Sequence, residues 1–573
     1  MILSKLCGMN RLFTALLLLC VLGGMRRTFA ADPFKGYLEH RFSGETVEVK
    51  EVAGLQQRVS DGKLHLNVKD FLALVLKNSA DIQITRLDVY TAADQITGAK
   101  APFDPTIQLG FDGLRSVYPL GYAIGGPFDS GSTGGTGSGS LGQINLPQTI
   151  NSLDQRSTVE YNQLLPTGQQ ITANFTADRS SGDSYPYPSL FGSLNFQLTQ
   201  PLLQNRTNLQ YRAPSQIART ELLITSETSE AAIADSLALA ARQYWDAILS
   251  RDNIRVQQQA LDLARKSYDH DKQALDLGAL AKLDIYQSET QVAERNRDVI
   301  QAQYQYKAAL DGLRRLIGAD LTPALRGAEI VLDDDPTATP SKSAILPFEQ
   351  ALAKAMQIRP EAKAAEQRIS VDELNARVAR DSLLPRLDLS LQGGATGPGF
   401  NQILSSDGTN PSPSMPYPGL GETLRQVVGF NYPSYGVGLQ LTFPLRNSTA
   451  KAALADSLVG RAKDRYQQRQ VKEQIVLDVR QALTSIELAN ASIEAAIRAR
   501  NLARLNVQAE QQKYQLGSIT SFELLDSQSR LASTESALLS AYVGYQEAYI
   551  GYQRATWTLL DGMGMILERP HVP

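Results

Sequence analysis

Cysteine is almost absent from this 573-residue chain. There are two, Cys7 and Cys20, and both fall in an N-terminal stretch that reads as a cleaved export signal. Lys5 and Arg11 precede the apolar run LFTALLLLCVLGG (residues 12–24), and TFAA (residues 28–31) offers cleavage after Ala30 or Ala31. Met9 is an alternative start. The exported chain would carry no thiol, which excludes disulfides and cysteine-ligated metals. Lipid attachment at Cys20 is argued against by Leu17, Leu18 and Leu19, where a lipidation motif needs small residues. Histidine is as scarce: His40, His65, His270 and His571 form no HExxH or other metal pair, and no GxxxxGK[ST] phosphate cradle occurs. No metal, no cofactor and no enzyme class is therefore expected. Excess charge is missing too. With 56 basic and 59 acidic residues, net −3, no basic surface argues for nucleic acid. Beyond the leader, at a mean hydropathy of −0.22, nothing approaches the ~20 apolar residues of a membrane-spanning helix.

Long stretches lack glycine and proline altogether: residues 215–277, 279–311, 461–516 and 518–543. As helix, the first would run roughly 90 Å, whereas the average globular helix has about 11–12 residues. Leu237, Ala241, Tyr244 and Ile248 recur at heptad-like spacing, beside a small-residue seam of Ala231, Ala234, Ala238 and Ala241. That pattern predicts long antiparallel coiled-coil helices with a wide wetted surface. Trp245, Trp557 and the tyrosines of YVGYQEAYIGYQ (residues 542–553) also fall at helical spacing, which predicts a packing stripe rather than a ligand site.

The chain repeats itself. LGALAKLDIYQSE (residues 277–289) returns as LGSITSFELLDSQ (residues 516–528) at an offset of 239, pairing Gly278 with Gly517, Asp284 with Glu523, Ser288 with Ser527 and Tyr306 with Tyr545. FDPTIQLG (residues 103–110) matches LLPRLDLS (residues 383–390) at an offset of 280, which also pairs Leu72 with Leu352 and Ala99 with Ala379. LNFQLTQPLL (residues 194–203) matches LQLTFPLR (residues 439–446). Each half opens with a helical segment, residues 68–100 or 348–384, stopped by Pro102 and Pro105 or by Pro385. Period-two stretches follow: Ile107, Leu109, Phe111 and Leu194, Phe196, Leu198 in the first half, then Leu387, Leu389, Leu391 and Val437, Leu439, Leu441, Phe443 in the second. Such alternation predicts strands with one apolar and one polar face. Residues 158–177 add a hairpin around Pro166-Thr167-Gly168 that the second half lacks. A Gly/Ser tract (residues 125–142) and NPSPSMPYPGLG (residues 410–421) separate the strands of each half, so irregular loops gather at one end and helices at the other. The expected plan is a leader (1–31), an extension (32–63), a first repeat (64–330) with a helical hairpin at 207–318, a linker (331–345), a second repeat (346–562) with strands 385–395 and 434–445 and a hairpin at 446–561, and a tail (563–573).

This order of elements, doubled, with a Leu-Gly…Asp/Glu break inside each long hairpin, resembles the TolC-type outer-membrane efflux proteins over residues 64–562. The resemblance implies an α+β membrane protein. Three copies would each give four strands to one transmembrane β-barrel, and their coiled-coil helices would form a periplasmic α-barrel. Four strands cannot close a barrel alone, and open edges are not tolerated in lipid. The hairpin at 158–177 departs from that pattern, either extending the barrel above the membrane or folding as a loop. The implied function is a passive outer-membrane exit duct of a tripartite efflux or type I secretion system. Its partners would be further copies of itself, outer-membrane lipid, a periplasmic adaptor and an inner-membrane transporter. The competing class is an exported periplasmic coiled-coil scaffold without a barrel, against which the alternating strands argue.

In that family the hairpin tips form the periplasmic entrance. The resemblance assigns adaptor docking to Gly278, Ala279 and Leu280 in the first tip and to Gly517, Ser518 and Ile519 in the second. It assigns the gate to Asp284, Glu523 and Asp526, with Tyr514 in KYQLG matching a tyrosine that holds the gate closed. The family's basic residue after the second-tip glycine is replaced here by Ile519, with Lys282 as the substitute. Local chemistry offers plainer roles. Thr520 and Glu523 have capping-box spacing, and Asp284 and Asp526 lie in first helical turns, where a carboxylate gains ~0.3–1 kcal/mol from the helix dipole. A threefold ring of Asp526 would instead repel itself, raise its own pKa and attract cations.

Overall fold

The first helix of each half breaks where a single residue leaves helical geometry. After β1 (Val59–Ser60) and β2 (Lys63–Leu66), α1 (Val68–Asn78) starts at Asn67, whose side chain accepts the Asp70 N–H at 2.7 Å. Ser79 is extended (φ −63, ψ 125), and α2 (Ala80–Gly98) begins after it. Residues 68–100 are thus two helices rather than one. Residues 348–384 divide likewise into α5 (Phe348–Ile358) and α6 (Pro360–Asp381), because Pro360 excludes Arg359 (φ −59, ψ 127) from the helical region. Ser79 and Arg359 are separated by the same offset of 280. The computed structural model describes residues 49, 59–60, 63–119, 149–182, 188–277, 282–321, 326, 328–338, 345–398, 419–516 and 518–563. The leader, the Gly/Ser tract, Gly278, Ala279, Leu280 and Gly517 lie outside them.

Between and beyond those breaks run β3 (Thr106–Pro119), β4 (Thr149–Leu164), β5 (Gln170–Gly182), β6 (Ser189–Pro201), α3 (Leu209–Asp276), α4 (Lys282–Ile317), β7 (Glu329–Leu332), β8 (Arg386–Gly397), α7 (Leu420–Val428), β9 (Tyr432–Thr442), α8 (Ser448–Gln515), α9 (Ser521–Ala555) and α10 (Leu559–Met563). α3 and α8 have 68 residues each, roughly 100 Å of helix. α3 packs against α4, and α8 against α9.

The sheet holds two strands more than the four expected of each copy. Among the described residues it has six antiparallel strands in the order β3-β4-β5-β6-β8-β9. The hairpin read at residues 158–177 is β4 and β5, inserted between β3 and β6 with a ladder along its whole length. The physical reason is the register. Leu109, Val159, Phe175, Leu194 and Ala395 form one row across five strands, and Ile107, Tyr161, Ala173 and Phe196 the next, so the hairpin continues the apolar face. The opposite face carries Gln108, Glu160, Asn174 and Asn195, and then Asp112, Arg156 and Asp178. Arg156 Nε donates to Asp178 at 2.6 Å. On the apolar face the only charged residues among the described strands are Arg115 and Arg179, both toward the ends away from the helices. α7 lies on that face near the same end: a Cβ on Gly192 would meet Thr423 Cγ2 at 2.6 Å.

Two cores occupy the middle of the helices. In one, β2 pairs in parallel with β7 over α1, α3 and the end of α4, around fully buried Phe71, Leu237, Tyr244, Ile248 and Leu313. The Tyr244 hydroxyl shares its one proton between Leu66 O at 2.9 Å and Asp334 Oδ2 at 2.7 Å; burial, then Asp334, pushes its pKa up. In the other, Ala351 and Ala355 of α5 meet Ile475, Val479 and Ile486 of α8 and Tyr545 and Tyr552 of α9. The tyrosine stripe is thus buried packing. Both cores leave the sheet at one end of the long helices and the hairpin tips at the other.

Candidate gate at the helical tips

Each tip is made by a helix that ends on its own backbone. The Leu277 N–H returns to Gln273 O at 3.1 Å, and the Leu516 N–H to Gln512 O at 3.2 Å. The Ser518 N–H and hydroxyl both donate to Lys513 O, at 3.0 and 2.9 Å, which satisfies one of the carbonyls left open at the end of α8. α9 restarts with a complete capping box. The Glu523 N–H donates to Thr520 Oγ1 at 3.4 Å, and the Thr520 N–H to Glu523 Oε2 at 3.3 Å. Leu277, Leu516 and Phe522 stand exposed around these ends, at 84%, 84% and 61%.

Behind the tips a carboxylate is sealed inside the helices. Asp271 of α3 is fully buried. Its two oxygens accept the hydroxyls of Ser288 on α4 and Tyr514 on α8. The His270 ring lies 5.2 Å from that of Tyr514, tilted by 56°, and its Nδ1 lies 3.7 Å from the Asp271 carboxylate. One helical turn earlier, Gln528 Nε2 of α9 donates to Ser267 Oγ at 3.1 Å. These bonds tie the second hairpin to the first through four helices. A buried carboxylate held by two hydroxyls is a strong yet breakable clasp, since hydrogen bonds to charged groups contribute about 1.5–3 kcal/mol each.

The residues expected at the gate are distributed unevenly. Tyr514 is in the clasp. Glu523 is exposed and engaged in its capping box. Asp526 is half exposed and pairs with Arg530, one turn on, at 2.9 Å. Ser518 and Ile519 lie in the second tip; the side chains of Lys282 and Asp284 are outside the described residues. Asp271 and Gln528 were not singled out by sequence reasoning. The available hint was a stripe of small residues, Ala260, Ala264 and Ser267, in which the next inward position is an aspartate.

Nearer mid-helix, a groove of about 800 Å³ between α3, α8 and α9 is lined by Asp235, Arg242, Asp478, Glu547 and Arg554. The Glu547 carboxyl is pushed up to about 7 by burial and by Asp246, with Arg242 opposing. Beside the groove, Arg359 pairs with Glu361 at 2.9 Å and Asp478 at 2.8 Å, and Arg554 reaches Glu361 at 2.7 Å. Burial would raise the Glu361 carboxyl, but the two guanidiniums hold it at about 2.

Long paired helical hairpins, latched at one end and joined at the other to a sheet with one almost uncharged apolar face, define a channel-type membrane protein. The chain belongs to the outer membrane efflux protein family, whose model matches residues 168–319 and 351–556, more than half of its length. It is an outer-membrane protein that extends into the periplasm, and its family forms channels rather than enzymes. Three solved structures share the fold. The CmeC outer membrane channel of Campylobacter jejuni is 13% identical, with a TM-score of 0.56 over 96% of this chain and 95% of that one. The outer membrane protein VceC of Vibrio cholerae is 13% identical, with a TM-score of 0.58 over 85% and 95%. The open state of the MtrE outer membrane channel of Neisseria gonorrhoeae is 16% identical, with a TM-score of 0.55 over 90% and 98%. No curated sequence matches the chain.

Proposed function

We propose that three copies of this chain form a passive exit duct, serving a tripartite efflux or type I secretion system and gated at the periplasmic tips. The observation that carries this reading is the sheet. Among the described residues it has two unpaired outer strands, β3 and β9, which run antiparallel to one another, and an apolar face that needs lipid. Copies joined β3 to β9 around a ring remove every open edge. From Pro433 on β9 to Phe443, one residue past its end, the apolar face runs over eleven residues, ten steps that give ~34 Å along the strand and ~26 Å of height at a ~40° tilt, the thickness of an outer-membrane apolar band. A periplasmic scaffold would leave that face in water.

The clasp of Asp271, Ser288 and Tyr514 keeps the tips together. The exposed Leu277, Leu516 and Phe522, with Ser518 and Ile519, are the surface offered to a periplasmic adaptor, and Gly278, Ala279, Leu280 and Gly517 are assigned to it from the sequence alone. An inner-membrane transporter supplies the energy. Glu523 and Asp526 line the entrance, where their charge favours cations, and Asp284 is assigned to it from the sequence alone. The test is electrophoresis of outer-membrane fractions before and after heating. A heat-modifiable band at three times the chain mass is expected; recovery as a soluble periplasmic monomer refutes the reading.

A further inference from the structure

The β4–β5 hairpin separates this chain from a four-strand protomer, and its chemistry says where it sits. Its two strands pair without interruption from Leu164 opposite Gln170 to Ser152 opposite Gly182. The turn is anchored to the start of α3, where Asn208 Nδ2 donates to Leu165 O at 3.1 Å and to Pro166 O at 3.4 Å. Gly168 in that turn has φ +93, and a Cβ there would stand 3.2 Å from Asn208. The turn is therefore short and on the helix side, while residues 120–148 connect the opposite strand ends. Short inner turns with longer outer loops are the pattern of membrane barrels. On β4 and β5 the charged residues Asp154, Arg156, Glu160 and Asp178 share the polar face with Thr158, Asn162 and Asn174. The opposite face carries Leu153, Val159, Tyr161, Ile171, Ala173, Phe175 and Ala177 together with the uncharged polar residues Asn151, Gln155, Ser157 and Gln163, and its one charged residue is Arg179. A hairpin standing clear of lipid has no need to sort its charges this way.

We infer that β4 and β5 span the membrane and that the shared barrel has eighteen strands, giving an exit that passes cargo as thick as a helical hairpin. The inference rests on the trimeric duct reading. At ~4.8 Å between strands and ~40° tilt, eighteen strands enclose a backbone circle of ~36 Å, against ~24 Å for twelve. Inward side chains take ~10 Å of either diameter, leaving ~26 Å or ~14 Å. Two packed helices, each 10–12 Å across, measure ~20 Å together and pass only the wider ring.

Single-cysteine variants test the placement. Cys7 and Cys20 stand in the stretch read as the cleaved leader, so each variant would expose one thiol. In the full-length trimer in phosphatidylcholine vesicles, Glu160→Cys and Asn174→Cys are expected to react with a water-soluble maleimide. Val159→Cys and Phe175→Cys are expected to react at least tenfold more slowly, matching Leu109→Cys and Leu439→Cys. If the Val159 and Phe175 thiols react as fast as that at Asn174 while Leu109 and Leu439 stay protected, the hairpin lies outside the membrane. The inference then fails and the duct stands. If all four react fast, both fail. The bore is read separately, by polymer exclusion from the barrel side in planar bilayers. Deleting residues 149–182 keeps Leu109 and Leu194 on one face and is expected to lower the excluded diameter nearly twofold. Should that variant not assemble, the wild-type cut-off decides: ~20 Å or more supports eighteen strands, and ~14 Å overturns them.

Discussion

Replacing Tyr514 by phenylalanine removes one hydroxyl from the clasp and leaves the ring beside His270 in place. Asp271 is fully buried, so water does not replace the lost donor while the tips are closed, and Ser288 is left to hold the carboxylate. The lost charge-assisted hydrogen bond contributes about 1.5–3 kcal/mol, which shifts the open-to-closed ratio of one protomer roughly 10- to 150-fold. If three protomers open in concert, the effect multiplies to more than ~1,000-fold. The assay is the open probability of single channels in planar bilayers, wild type against Tyr514→Phe, with Ser288→Ala as the companion. Both variants should open more often, and the double variant should exceed either. An open probability within twofold of wild type, in protein that remains trimeric, refutes the clasp.

Arg359→Met leaves Asp478 without its buried partner and Glu361 with Arg554 alone, and should cost about 1–3 kcal/mol, visible as a lower midpoint of thermal unfolding. Glu547 titrates at about 7, above its ordinary value of 4.5. The stability of its protonated form is therefore complete below ~4.5 and is lost as pH rises through 7. Glu547→Gln should flatten that slope and raise the unfolding temperature at pH 8 but not at pH 4.5. Glu361 has the opposite sign: its contribution holds above ~4.5 and falls away only as pH drops toward 2. Thr520→Ala removes the capping box at the second tip and should destabilise the start of α9 by about 1 kcal/mol, seen as faster amide exchange confined to residues 521–525.

Local patterns were legible in the sequence, and convergences in space were not. Alternation located β3, β6, β8 and β9, and the Thr520-x-x-Glu523 spacing located the cap, because each depends on neighbours within a few residues. The break at Arg359 was written in Pro360, whereas Ser79 carries no comparable sterical marker. β4 was read too short: Asn151, Gln155 and Ser157 fall on its apolar face, so pattern alone stops near Thr158, and pairing with β3 and β5 extends it. The number of strands was legible in the hairpin's own alternation but was set at four by resemblance. Tyr514 was found through KYQLG. Asp271 was not, since its importance comes from α3, α4 and α8 meeting around it, which no short window contains. α7 was missed because its nine residues interrupt a Gly- and Pro-rich loop and touch the sheet only in three dimensions.

Electron cryomicroscopy of the full-length protein in lipid nanodiscs tests the central claim most directly. The expected map is a threefold ring with β3 of each protomer paired to β9 of the next, around one lumen that runs from the barrel to the tips. A monomer with free sheet edges, or copies packed without a shared lumen, would contradict the duct.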